Sequence, residues 1–98
     1  MASTTYTANV AHRGASGYEL ENSKASMLRA VQLGCDWIEF DVHLVDGEWF
    51  VIHDDTLQRT AQRSGSIYEK SAKELRWVRL KNGETILTLK ELFQIVPT

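Results

Sequence analysis

Ninety-eight residues, of which 43% are apolar and 24% charged, suffice for one globular domain of modest size and no more. The formal net charge of −2 supplies no general attraction for nucleic acid or an anionic membrane, so any bound anion must be met by local cations. Cys35 is the only cysteine, which excludes an intrachain disulfide and leaves no reason to expect an oxidising compartment. The opening MASTTYTANV has neither the basic nor the apolar region of a signal peptide, and no run approaches the roughly 18 apolar residues of a membrane span. A cytoplasmic protein is expected.

Strand-like and helix-like segments alternate along the chain, which favours an α/β fold. Asn9 to His12 is a short apolar run that reads as a buried strand, and Arg13 to Glu21, with Gly14 and Gly17, reads as a loop. Asn22 or Ser23 then caps a helix from Lys24 to Leu33, with Met27, Leu28 and Val31 on its apolar side and Gly34 at its left-handed end. Trp37 to Leu44 alternates like one strand, Asp46-Gly47 is a turn, and Trp49 to His53 reads as the returning strand. The pattern loosens after Asp54. Ser71 and Glu74 form a capping box before a short helix holding Leu75 and Val78, and Asn82-Gly83 makes a turn. Thr88 and Glu91 open a last helix, carrying Leu89, Leu92, Phe93 and Val96, that stops near Pro97.

Three groups of residues could carry chemistry. His12-Arg13-Gly14 follows a strand, the place where α/β folds put their active sites. A histidine there can move a proton, an arginine can grip a phosphate, and a glycine can let a ligand approach the backbone. The plain alternative is a surface or packing role. Glu39, Asp41 and His43 are spaced by two, which in a strand aims all three side chains at one face. Either that face is solvated, or a hard divalent ion such as Mg²⁺ or Ca²⁺ joins the carboxylates, with water, substrate or further residues completing its shell. His53 returns to the level of residues 39 to 41. A strict two-residue turn pairs it with Phe40 on the opposite face, whereas a longer loop or a bulge sets it beside Glu39 or Asp41. Two histidines, an arginine and two carboxylates are together the equipment for phosphodiester cleavage.

These residues resemble the glycerophosphodiester phosphodiesterase family. The matching run is His12-Arg13-Gly14, Leu20-Glu21-Asn22, Gly34-Cys35-Asp36-Trp37-Ile38-Glu39-Phe40-Asp41-Val42, Asp46-Gly47, and Val51-Ile52-His53-Asp54-Asp55-Thr56-Leu57-Gln58-Arg59-Thr60. The later ILTLKELF is similar to the family's segment that starts a barrel helix. The resemblance implies the N-terminal portion of a TIM-type (β/α)8 barrel, incomplete in this chain, with residues 1–98 forming part of one domain. It implies His12 and His53 as general acid and base, Arg13 on the phosphate, and Glu39 and Asp41 on a divalent cation. The implied substrate is a glycerophosphodiester, cleaved to glycerol 3-phosphate and an alcohol. No role passes to His43, which is taken as structural.

Leu20 and Leu87 stand where the family has proline, and are expected to loosen their loops. Length is the larger departure, because such a barrel takes about 200 to 250 residues and the family draws a further carboxylate ligand from a later strand. Alone, the chain is expected to bind metal weakly and to self-associate or require a C-terminal remainder, because a partial sheet leaves edges unpaired. A non-catalytic phosphate-binding or assembly module of the same fold is the alternative.

Overall fold

A computed structural model describes residues 10–96. The expectations placed on Asn9 and on Pro97 fall outside that range. The described residues are α/β, with two two-stranded sheets and intervening helices. Strand β1 (Val10–His12) pairs in parallel with β2 (Trp37–Glu39), joined through helix α1 (Lys24–Gln32). Strands β3 (Val42–Val45) and β4 (Glu48–Val51) form an antiparallel hairpin. Helices α2 (Gln58–Ala61), α3 (Ala72–Leu75) and α4 (Leu89–Ile95) follow, with a 3₁₀ turn at Ile67–Glu69 between the first two. No helix among the described residues is long and apolar enough to cross a membrane.

Ser23, not Asn22, caps α1, its hydroxyl accepting from the Ser26 amide at 3.1 Å. Gly34 ends the helix at φ +69, as its position predicts. The buried face of α1 is Ser26, Met27 and Ala30, whereas Leu28 and Val31, expected on the apolar side, are exposed. Ser26 is small because the preceding loop packs against it. A Cβ on Gly14 would lie 2.4 Å from Ser26 Oγ, so the missing side chain is what admits the helix on that side.

The expected single strand from Trp37 to Leu44 is two strands. It breaks at Phe40 and Asp41, because its first part pairs with β1 and its second with β4. Asp46 and Gly47 both take positive φ, 56 and 75, giving a two-residue turn whose twist suits the hairpin. Val45 therefore faces Glu48, and the ladder ends at Val42 opposite Val51. His53 lies beyond β4, so the returning strand is shorter than expected.

The main core packs the inward side chains Val45, Phe50 and Ile52 against Leu57, Ile67, Leu75, Val78, Leu80 and Ile86. Val78 is buried but follows α3, which ends at Leu75. Both expected capping boxes are present, and Ser66 with Glu69 forms a third. A second cluster holds Met27, Val51, Leu87 and Leu92, uniting α1, β4 and α4. Leu87 is buried there, its carbonyl accepting from the Val51 amide at 2.7 Å, and Leu20 packs on the main core. Both leucines anchor the segments they were expected to loosen.

Candidate active site

Parallel pairing sets His12 directly across from Glu39, each the last residue of its strand. Paired positions in a sheet share a face, and His12 Nε2 lies 3.1 Å from Glu39 Oε2. Past His12 the backbone turns left-handed at Arg13, φ 55, a costly conformation for a side chain of this size and one that clusters at functional sites. The turn is held by the Gly14 amide on the Glu39 carbonyl at 3.2 Å and the Asn22 amide on the Arg13 carbonyl at 2.8 Å. It directs the Arg13 guanidinium inward, with Nη1 donating to Glu21 Oε2 at 3.1 Å and Nε 3.5 Å from Asp41 Oδ2. Asn22, buried and also left-handed at φ 54, donates from Nδ2 to the same Asp41 oxygen at 3.1 Å.

His53 belongs to a second arm. Having left the ladder, it places Nδ1 2.8 Å from Asp54 Oδ1. Arg59, carried on α2, forks onto Asp54 and onto Glu21. Asp41, Arg13, Glu21, Arg59 and Asp54 thus form a run of alternating charge that ends on His53. Arg59, by hydrogen bonding, holds the Glu21 and Asp54 carboxyls below the usual carboxylate range, and Glu21 and then Asp54 raise the guanidinium in return.

His43 does not join Glu39 and Asp41 on one face, because the strand breaks between them. Its ring Nε2 meets the His53 carbonyl at 2.9 Å and its Nδ1 meets the Tyr68 hydroxyl at 2.5 Å. A carbonyl only accepts, so Nε2 carries a proton, and in the neutral ring Tyr68 donates to Nδ1. These bonds suit the structural role expected of it. No hydrogen bond or ion pair among the described residues joins His12 directly to His53.

Glu39 and Asp41 stand at the strand break with side chains 45% and 29% exposed. Their oxygens match the chemistry of a hard divalent cation, but two carboxylates do not make a shell. Among the described residues no group of three or more His, Cys, Asp or Glu side chains is arranged to hold a metal.

The description "Glycerophosphoryl diester phosphodiesterase family" belongs to the family model that matches residues 12–98. The chain belongs to that family. A glycerophosphodiester phosphodiesterase of Caldanaerobacter subterraneus subsp. tengcongensis is 38% identical over 95 residues, covering 89% of this chain and 39% of the relative. The solved structure of a glycerophosphodiester phosphodiesterase from Thermotoga maritima superposes with a TM-score of 0.82 at 33% identity, covering 96% of this chain and 41% of that one. An Oleispira antarctica phosphodiesterase, solved in complex with the product sn-glycerol-3-phosphate, gives 0.81 at 39% identity, covering 91% of this chain and 39% of its own. The chain therefore spans about two fifths of the length of these family members, and its α/β fold is that of the corresponding part.

Glu21, Asn22, Asp54 and Arg59 stand in the residue run that carries the family resemblance, yet reasoning from the sequence assigned none of them a part in the site, and Asn22 only a possible place as a helix cap. The available signal was membership of that run, with Asp54 also adjacent to His53. What was missing was the fold, which brings Glu21 to Arg59 across 38 positions of sequence.

Proposed function

We propose that this chain supplies the N-terminal part of a site that hydrolyses glycerophosphodiesters to glycerol 3-phosphate and an alcohol. The observation that carries the reading is the meeting of His12 with Glu39 and of Arg13 with Asp41 at the ends of paired strands, in a chain of this family. His12, exposed at the strand end, and His53, steadied by Asp54, act as the proton-transfer pair. Arg13 offers a phosphate a planar fork of donors. Glu39 and Asp41 would hold a divalent cation, Mg²⁺ or Ca²⁺, with substrate, water and further residues completing its shell. When bound, such an ion supplies charge stabilisation at the phosphate oxygens. A (β/α)8 barrel would complete the domain, and a cytoplasmic location, which rests on the sequence alone, belongs to the same proposal.

A second reading, a non-catalytic module that binds phosphate or assembles with another chain, is favoured by a specific observation. Val31, Trp37, Ile38, Phe40, Leu92 and Phe93 line an open groove between α1, β2 and α4, and Trp37 and Phe93 are largely exposed. Such a surface invites cover by further α/β units or by a second copy. Hydrolysis of glycerophosphocholine, assayed with and without Mg²⁺ or Ca²⁺, separates the readings. The first expects metal-dependent turnover in the complete domain, weakened with metal affinity by Glu39→Ala or Asp41→Ala. Unchanged metal binding in both variants overturns the assignment, and a complete domain without turnover favours the second reading.

A further inference from the structure

We propose that Arg59 is a positioning residue: one guanidinium grips Asp54 and Glu21 together, and so fixes His53 on one side and Arg13 on the other. The inference rests on the proton-transfer reading of His53 given above. Arg59 Nε donates to Asp54 Oδ2 at 2.8 Å and Nη2 to Asp54 Oδ1 at 3.0 Å. From its other edge, Nη1 donates to Glu21 Oε1 and Nη2 to Glu21 Oε2, the latter at 3.0 Å. Four of the five guanidinium protons are therefore spent on two carboxylates, a geometry that a lysine ammonium cannot copy.

Each carboxylate passes the constraint on. Asp54 Oδ1 lies 2.8 Å from His53 Nδ1, and a carboxylate only accepts, so Nδ1 must carry the proton. Nε2 is then the nitrogen left to take or give a proton. On the far side, Glu21 Oε2 also accepts from Arg13 Nη1 at 3.1 Å. Asp54 is adjacent to His53 in sequence, so its rotamer needs an outside anchor if it is to aim the ring. Arg59 can serve because α2 seats it beside Leu57 and Ala61, both buried. Its own side chain is half exposed, so the fork contributes orientation more than stability. The lowered carboxyls of Glu21 and Asp54 agree with both being ionised in this arrangement.

The tautomer of His53 tests this without any need for turnover. Nitrogen-15 NMR of the histidine side chains, with His53 assigned through His53→Ala and folding checked by circular dichroism, is recorded where the rings are neutral. The wild-type chain should hold His53 mainly as the Nδ1–H form, and Asp54→Asn should lose it. Arg59→Gln should shift the population several-fold toward Nε2–H, with Arg59→Lys between the two. If Arg59→Gln fails to fold, Arg59→Lys decides by the same comparison. A folded Arg59 variant with the wild-type tautomer, or a wild-type chain lacking the Nδ1–H form, overturns the proposal. Normal turnover of His53→Ala in the complete domain would instead remove the catalytic reading of His53 and leave the tautomer result standing.

Discussion

From Val42 to Ile86 the chain closes largely on itself, the hairpin laying Val45 and Phe50 over Leu57, Ile67, Leu75 and Leu80 in one dry cluster. The layer of β1, α1, β2 and α4 is different. It buries Met27, Ala30 and Leu92, yet leaves Val10, Leu28, Trp37 and Phe93 in solvent. The candidate residues sit across the seam, with His12, Arg13, Glu39 and Asp41 on the open layer and His53, Asp54 and Arg59 on the closed one. The difference separates two jobs. The closed region carries His53 on a polar chain through Asp54 and Arg59, whereas the open layer leaves an apolar face in solvent.

The largest effect should come at the seam. In a complete domain His12→Ala and His53→Ala are each expected to lower diesterase turnover by about 10²- to 10⁴-fold, the usual scale for a positioned acid or base. Each should also remove one limb of the pH–rate profile. Near-normal turnover in both variants would end the proton-transfer assignment and leave the seam a packing feature.

Packing comes next. Phe50 is fully buried, so Phe50→Ala should cost about 3–5 kcal/mol in urea unfolding of this chain. Trp37 is 64% exposed, so Trp37→Ala should stay within about 0.5 kcal/mol here. In a longer protein that covers the groove the tryptophan change should become costly. Equal losses at both positions in the isolated chain would erase the contrast between the regions.

The smallest effect is electrostatic. Arg59 lowers the carboxyls of Glu21 and Asp54 in the folded state. Their unfolded forms therefore bind protons first as pH falls, so the stability they contribute is present above the ordinary carboxylate range near pH 4 and is lost below it. Glu21→Gln with Asp54→Asn should flatten the acid side of a stability–pH curve measured by urea melts. Solvent screening around the half-exposed Arg59 keeps the change small. An acid limb as steep as that of the wild type would mean that the charge run does not act across the seam.

Much of the candidate site was legible as a set of residues, because its signals are local. Strand-end position marked His12 and Arg13, alternation marked Glu39 and Asp41, and Asp46-Gly47 marked the hairpin. Local signals also misled where two partners competed for one segment. The alternation from Trp37 to Leu44 suggested one face for Glu39, Asp41 and His43, but β1 claims one end of the segment and β4 the other. A glycine reads alike in sequence whether a ligand or a helix approaches it, and at Gly14 Ser26 of α1 is the neighbour on one side.

By itself the sequence determined the family, the α/β alternation, the helix after Ser23, the turn at Asp46-Gly47, the caps at Ser71 and Thr88, and the candidate side chains. Those features depend on residues within a few positions of one another, or on a run of residue types long enough to be specific. It did not determine the break in the strand after Glu39, nor helix α2 and the 3₁₀ turn that follows it. Tertiary structure alone decided that Asp41 answers to Arg13 and Asn22, that His43 turns to Tyr68, and that Arg59 bridges Glu21 to Asp54. Such pairings join residues many positions apart, and chain closure around a common core, not local propensity, sets which of several possible charged partners comes within hydrogen-bonding reach.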